Sequence, residues 1–278
     1  MNPISAWSSG DVIANGLRIR YYRSGGEGPS VVLAHGITDS GECWPRVAPV
    51  LAQEFDVITY DARGHGHSET PRAPYSSVEQ ADDLAGLITA LGLEQPCLVG
   101  HSMGASTVSL AAARHPGLMR AIVLEDPPWR DIPPEQTRGR IGGYQERLRE
   151  YQSMSVEELV AFGRENRLGW DVAEFEPWAE AKHQCQIEAL AQMTGLGPPW
   201  QEVAAQIQCP TLLITGDAEV QSAAGLGAIV TPEIAQEALA LLRDGRVVHI
   251  PGAGHNIRRE GFEGYREAVL AFLREQMS

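Results

Sequence analysis

Paired cysteines are missing from this chain of 278 residues. It has four cysteines and no Cys-x-x-Cys motif; they are Cys43, Cys97, Cys185 and Cys209. Scattered single cysteines of this kind behave as small apolar residues and do not form a disulfide framework. The pattern therefore favours a reducing compartment.

Long apolar runs and basic residues are also scarce. No stretch approaches the roughly 18 apolar residues of a membrane span. The opening sequence MNPISAWSSGDVIANG lacks the positive and apolar regions of a signal peptide. Only 22 Lys and Arg oppose 36 Asp and Glu, and the net charge of −14 argues against a nucleic-acid partner. We expect a cytoplasmic protein with a small-molecule substrate and no membrane partner, and the oligomeric state stays open.

Strand-like and helix-like segments alternate between residues 30 and 126. Short apolar runs such as SVVLAHG, DVITYD and PCLVG are typical of strands that are buried on both faces. Between them, SSVEQADDLAGLITALGL has the apolar spacing of an amphipathic helix. This alternation predicts an α/β fold, with a mostly parallel sheet that is covered by helices on both faces.

The alternation stops between residues 127 and 203. This segment shows no clear strand pattern, and it holds four of the six tryptophans. Strand and helix patterns resume with CPTLLITGD and end with a terminal helix. We therefore predict an α/β core of residues 1–126 and 204–278 and a helical cap of residues 127–203.

The segment LVGHSMGAS contains a Gly-x-Ser-x-Gly motif at residues 100–104. It lies between a predicted strand and a predicted helix, which is the setting of a nucleophile elbow. In such a turn the serine hydroxyl is exposed at the end of the sheet, and the glycines let neighbouring backbone approach. Ser102 is therefore a candidate nucleophile, although a small polar residue in a turn is the alternative.

Four further segments resemble the α/β-hydrolase superfamily. LAHGITDSG is similar to its His-Gly oxyanion loop, and YDARGHGHSETP is similar to its Asp-x-Arg-Gly-x-Gly-x-Ser segment. PTLLITGD and HIPGAGHNI resemble the strands and loops that supply the acid and the histidine. The resemblance covers the predicted core and implies an α/β-hydrolase fold with a helical cap and a catalytic triad that needs no cofactor.

By this resemblance Ser102 is the nucleophile and His255 is the general base. The oxyanion hole is expected from two backbone N–H groups, those of Met103 and Ile37. The His-x-His pair formed by His65 and His67 has no further ligand cluster beside it, so we predict no metal site.

The acid of the triad is less clear from the sequence. Glu219 occupies the usual position after the penultimate strand, and it is our first choice. Glu125 and Asp126, at the end of the strand after the nucleophile helix, are alternatives that some superfamily members use. Asp217 is a further candidate. The loop after Glu219 is longer than a tight turn, which leaves this alignment open.

The predicted function is hydrolysis of a small-molecule carboxylic ester through an acyl-enzyme, as in a carboxylesterase. A lactonase or a hydrolase of C–C bonds in β-diketones would use the same triad, and a non-catalytic receptor is a further alternative. Ser102 argues against dehalogenases and epoxide hydrolases, which resemble this superfamily but carry Asp at the elbow. Trp129 and His101 are candidate substrate-binding residues, although the cap tryptophans can equally form the cap's own core.

Overall fold

The structure is a computed structural model that describes residues 2–130, 134–167, 169–195, 197–220 and 227–277, with the backbone alone at 134–138. Its strands are β1 Ser8–Ala14, β2 Leu17–Arg23, β3 Ser30–Ala34, β4 Asp56–Tyr60, β5 Tyr75–Ser76, β6 Cys97–His101, β7 Ala121–Glu125, β8 Met193–Gly195, β9 Thr211–Thr215 and β10 Gly245–His249. Its α-helices are α1 Val47–Leu51, α2 Ser77–Ala90, α3 Met103–Arg114, α4 Pro134–Gln152, α5 Val156–Asn166, α6 Phe175–Gln184, α7 Ile187–Gln192, α8 Trp200–Gln206, α9 Pro232–Leu241, α10 Ile257–Glu260 and α11 Phe262–Met277. Two short 3-10 helices lie at Pro3–Ala6 and Val172–Glu174.

Eight strands form one sheet in the order β1-β2-β4-β3-β6-β7-β9-β10. The strands from β4 to β10 in this order are parallel, whereas the β1–β2 hairpin adds antiparallel strands at one edge. Asn15 and Gly16 turn the hairpin with φ of 48° and 79°. Both residue types tolerate positive φ, which is why this dipeptide favours a two-residue hairpin turn.

The sheet is buried on both faces. Val31 of β3 and Val99 of β6 pack into one hydrophobic cluster. Their neighbours in the chain, Val32 and Leu98, pack into a second cluster on the opposite face. This alternation follows from the two-residue repeat of a strand. The predicted α/β fold with a mostly parallel, doubly covered sheet is confirmed.

Helices α4 to α8 fall between β7 and β9. The sequence showed no clear strand in this region, but the structure has a short one. This strand, β8, pairs with β5 in a separate two-stranded sheet. An aromatic cluster around Tyr151, Trp170 and Trp178 packs within this region. The division into core and cap stays a prediction, and α8 crosses its boundary at 203/204.

Within the described ranges, no helix combines the length and the apolarity that a membrane crossing requires. The cysteines of the chain are free thiols, and three of them are buried. The cytoplasmic location stays a prediction.

Candidate active site

Ser102 lies on a sharp turn between β6 and α3. Its φ of 53° and ψ of −115° place a non-glycine residue in a strained region of backbone space. The turn is closely packed, because a Cβ on Gly100 would lie 2.4 Å from the carbonyl oxygen of Gly104. A Cβ on Gly104 would lie 2.1 Å from the carbonyl oxygen of Ala34. Both glycines of the motif are therefore required by close backbone approach.

His255 bridges Ser102 and a buried carboxylate. Its Nε2 lies 3.0 Å from the hydroxyl oxygen of Ser102, and its Nδ1 lies 2.5 Å from Oδ2 of Asp126. The side chain of Asp126 also accepts hydrogen bonds of 2.9 Å from the backbone N–H groups of Ile229 and Val230. These bonds fix the carboxylate, and the carboxylate in turn fixes the imidazole ring.

The first choice for the acid, Glu219, is wrong. The turn after β9 carries Glu219 to an exposed position. Asp217 in the same turn pairs with His249 and accepts a hydrogen bond from Gly252 N–H, so it supports the loop that leads to His255. Asp126 reaches His255 because β7 lies between β6 and β9 in the sheet.

Glu125, the other alternative on β7, points away from His255. Its side chain is fully buried and accepts a hydrogen bond of 2.8 Å from the backbone N–H of Arg258. The Arg258 guanidinium lies 3.5 Å away. Burial raises the pKa of Glu125 to about 7, against the opposing effect of Arg258. Glu125 therefore belongs to the support of α10 and does not contact the imidazole.

Ile37 and Met103, the two expected oxyanion residues, both border the space beside Ser102. Met103 is the first residue of α3, where a helix leaves its N–H groups without intrahelical partners. Ile37 follows Gly36, and a Cβ on Gly36 would lie 3.5 Å from the Ser102 Cβ. The loop after β3 therefore packs directly against the serine, and the oxyanion role of Ile37 and Met103 stays a prediction.

His101 lies in the site, whereas Trp129 does not. The Nε2–H of His101 donates to the backbone oxygen of His255 at 3.1 Å, and the two rings are 4.9 Å apart. Burial holds the pKa of His101 well below its usual value, so the ring is neutral. Trp129 is 2% exposed and stacks on Trp200 in the main core. The structure thus places Trp129, a predicted substrate-binding residue, against Trp200 and not in the wall of either cavity at Ser102.

Two cavities meet at Ser102. The first measures about 90 Å³ and also contains both histidines of the site. Its wall combines aromatic side chains with basic ones; these are Tyr144, Tyr151, Trp170, Trp178, Arg147, Arg167, Lys182 and Arg259. We call it the basic cavity. Asp39 is the one carboxylate among its described lining residues.

The second cavity measures about 70 Å³ and lies on the Met103 side of the serine. Its surface is mainly apolar and includes Pro128, Ile141 and Met193, with Arg130 and Arg140 also at its wall. His255 does not line it. We call it the apolar cavity. Ile37, Ser102 and Tyr144 border both spaces, so a substrate at Ser102 would extend into the two.

The sequence pattern of the family described as alpha/beta hydrolase fold matches residues 29–261. The chain belongs to this family. N-formylmaleamate deformylase of Pseudomonas putida is 31% identical over 274 residues, which cover 96% of each chain. The structure of N-formylmaleamic acid deformylase from Pseudomonas putida S16 matches with a TM-score of 0.77 at 27% identity, covering 94% of this chain and 100% of that chain. A 2-(acetamidomethylene)succinate hydrolase of Mesorhizobium japonicum is 40% identical over 104 residues, or 37% of each chain.

A buried ionic network surrounds the loop after β3 in this α/β hydrolase. Asp39 contacts Lys182 at 2.9 Å, Arg259 at 3.1 Å and Arg258 at 3.3 Å. Burial alone would raise the pKa of Asp39, but these three cations outweigh it and hold the pKa well below its usual range. Lys182 also donates to the backbone oxygen of Thr38 at 2.7 Å. The network therefore joins the loop after β3 to α6 and α10.

The sequence did not reveal Asp39, Lys182 or Arg167 as members of the site. Lys182 is the single lysine of the chain, but this fact of composition does not indicate a role for it. Asp39 lies two residues after Ile37, so its position in the oxyanion loop was the available hint. Nothing in the sequence around Arg167 distinguishes it from a solvent-exposed arginine of a helix end.

His65, the first histidine of the His-x-His pair with His67, has protein partners at both ring nitrogens. His65 is buried, with Nδ1 2.9 Å from the Arg63 carbonyl oxygen and Nε2 accepting from Thr38 N–H at 3.4 Å. Burial lowers the pKa of His65 to about 4. Among the described side chains, no group of three or more His, Cys, Asp and Glu could hold a metal ion.

Proposed function

We propose that this chain is a serine hydrolase that cleaves the ester or amide bond of a small acyl compound through an acyl-enzyme. The observation that supports this most directly is His255, which lies 3.0 Å from the Ser102 hydroxyl and 2.5 Å from Asp126. A nucleophile, a base and a group that orients the base are the parts that acyl transfer by serine requires.

The reaction proceeds in two halves. The Ser102 oxygen attacks the carbonyl carbon, His255 takes the hydroxyl proton, and Asp126 stabilises the resulting imidazolium. The N–H groups of Ile37 and Met103 stabilise the negative oxygen of the tetrahedral intermediate. The carbonyl re-forms, the leaving group departs with the proton from His255, and water then attacks the acyl-enzyme by the same route.

The relatives support a bond class broader than esters. The deformylase, which matches over 96% of this chain, is named for removing a formyl group from an amide nitrogen. The name of the succinate hydrolase likewise contains an acetamido group. We therefore include C–N acyl bonds beside the C–O bonds that the sequence favoured, since one triad and one oxyanion hole serve both.

The test compares the wild-type protein with Ser102→Ala on p-nitrophenyl acetate and on small N-formyl and N-acetyl amides. We expect hydrolysis by the wild type, and loss of it in Ser102→Ala. Ser106→Ala, one turn further along α3, is the matched control and should retain activity. A fluorophosphonate reagent should label the wild type and not Ser102→Ala, as read by intact mass. A wild type that neither hydrolyses the panel nor takes the label would contradict the proposal and favour a binding protein.

A further inference from the structure

Arg167 lies just after α5 in the wall of the basic cavity, and only 5% of it is exposed. Its guanidinium carbon is 4.8 Å from the ring centre of Trp170 and 4.4 Å from that of Trp178. Its Nη2 donates to the Tyr151 hydroxyl oxygen at 3.2 Å. Aromatic rings at these distances hold a guanidinium in place by cation–π attraction.

Arg167 makes no direct ion pair in the parts of the chain that the structure describes, and Asp39 acts on its charge only from beyond contact distance. No carboxylate there forms an ion pair with it, and its buried Nε–H has no hydrogen-bond partner. The other two buried cations of the cavity differ, because Asp39 and Glu174 neutralise Lys182 and Arg259.

Burying a guanidinium without an anion is unfavourable, because the hydration of the charge is lost and no ion replaces it. Burial accordingly lowers the pKa of Arg167. Cation–π contacts offset a part of this cost and leave the Nε–H unsatisfied. Among the described residues, the cavity that also contains the nucleophile therefore holds a buried cation without a direct ion pair.

The position of His255 indicates which half of a substrate meets this cation. His255 must pass its proton to the leaving group, so the leaving group lies on the His255 side of Ser102. The basic cavity is lined by His255, whereas the apolar cavity is not. The acyl half therefore extends toward Met103, and the leaving half extends toward Arg167.

We propose that Arg167 binds a carboxylate on the leaving half of the substrate and makes the enzyme selective for small anionic acyl compounds. This inference rests on the proposed function. The basic cavity of about 90 Å³ has room for a carboxylate on a short aliphatic chain. A guanidinium and a carboxylate make paired, charge-assisted hydrogen bonds, so an arginine suits this role.

The test uses three esters whose hydrolysis is followed by acid release at constant pH. O-acetylglycolate carries its carboxylate on the leaving half, monoethyl succinate carries it on the acyl half, and ethyl acetate is neutral. We expect the wild type to favour O-acetylglycolate over ethyl acetate. Arg167→Met keeps a long side chain between the tryptophans and removes the charge.

Arg167→Met should lower kcat/KM for O-acetylglycolate by about 10- to 100-fold, the value of one or two charge-assisted hydrogen bonds. It should change kcat/KM for ethyl acetate by less than about threefold, since that substrate has no anion for the arginine. Arg164→Met, an exposed position on the same helix, is the matched control and should leave all three rates unchanged. Equal losses on O-acetylglycolate and ethyl acetate, or a loss confined to monoethyl succinate, would overturn the proposal.

Two measurements keep the proposal testable if a variant or the reaction fails. If Arg167→Met does not fold, glycolate and neutral glycolamide are compared as inhibitors of the wild type, and equal inhibition overturns the proposal. If the wild type hydrolyses no ester or amide, the proposed function fails separately. Glycolate binding is then measured by thermal shift on Ser102→Ala with and without Arg167→Met, and only loss of binding with the second substitution supports the anion site.

Discussion

Asp126→Asn tests whether Asp126 is the acid of the triad, because it changes the contact between Asp126 Oδ2 and His255 Nδ1. The substitution preserves the shape of a fully buried side chain and removes its charge. The amide oxygen can still accept the N–H groups of Ile229 and Val230, which Asp126 now accepts at 2.9 Å. We therefore expect Asp126→Asn to fold, so that a loss of activity reports on chemistry and not on unfolding.

The magnitude follows from the bond of 2.5 Å between Asp126 and Nδ1 of His255. With oxygen turned to the backbone, the amide NH₂ faces Nδ1 and favours the tautomer whose proton lies on Nε2. That tautomer cannot accept the Ser102 proton. Triad substitutions of this kind lower kcat about 10⁴-fold, which is about 5.5 kcal/mol of barrier.

The assay is hydrolysis of a fluorogenic acetate ester, whose sensitivity covers four decades of rate. Glu219→Gln serves as the matched control, because Glu219 is exposed and should change the rate less than about twofold. Glu125→Gln, which alters a buried group outside the imidazole's reach, should also be milder than Asp126→Asn. A larger loss in Glu219→Gln than in Asp126→Asn would refute the assignment and restore the acid to the turn after β9.

Three further predictions concern stability. Asp39→Asn should lower the free energy of unfolding by about 3–5 kcal/mol in chemical denaturation, because it strips the anion from a buried cluster; a loss below 1 kcal/mol would show that Lys182 and its neighbours need no such partner. Burial lowers the pKa of His65 to about 4, so the unfolded chain takes up a proton that the folded chain excludes, and stability is lost as pH falls below about 6.5. His65→Gln should reduce that slope by about 1.4 kcal/mol per pH unit, and an unchanged slope would contradict the reasoning. Gly104→Ala should lower Tm strongly, because its Cβ would lie 2.1 Å from the carbonyl oxygen of Ala34. Gly139→Ala, which faces open space in α4, should instead raise the free energy of unfolding by up to about 1 kcal/mol. Similar Tm changes in both variants would refute the argument from close backbone approach.

Local patterns predicted the elements that hold the site because their causes are local. The run of residues 97–99 before the elbow is apolar at every position, as a strand covered on both faces requires, and the two glycines mark the close approach of backbone to backbone. The helix that starts after Ser76 has a capping box with Glu79, which makes its first turn independent of distant residues. Such features depend on neighbours within a few positions, so the sequence shows them directly.

The acid could not be predicted in this way. Asp126 and Glu219 are both carboxylates that follow a strand, and sequence order does not say which strand end lies nearer the imidazole. The choice depends on the sheet order, which inserts β7 between β6 and β9, and on the turn that carries Glu219 outward. Trp129 was misplaced for a similar reason, since its stacking partner Trp200 is distant in the chain.

The sequence by itself determined the fold class and the nucleophile elbow at Ser102, because periodicity and short-range sterics leave few alternatives. His255 became a candidate through the resemblance to the α/β-hydrolase superfamily. Only the tertiary structure decided that Asp126 meets the imidazole and that Arg167, without a direct ion pair among the described residues, lies beside Trp170. Both results are properties of distance between remote segments. The sequence shows which side chains carry charge and hydrogen-bonding groups, but the packing of the fold decides which partner each of them contacts.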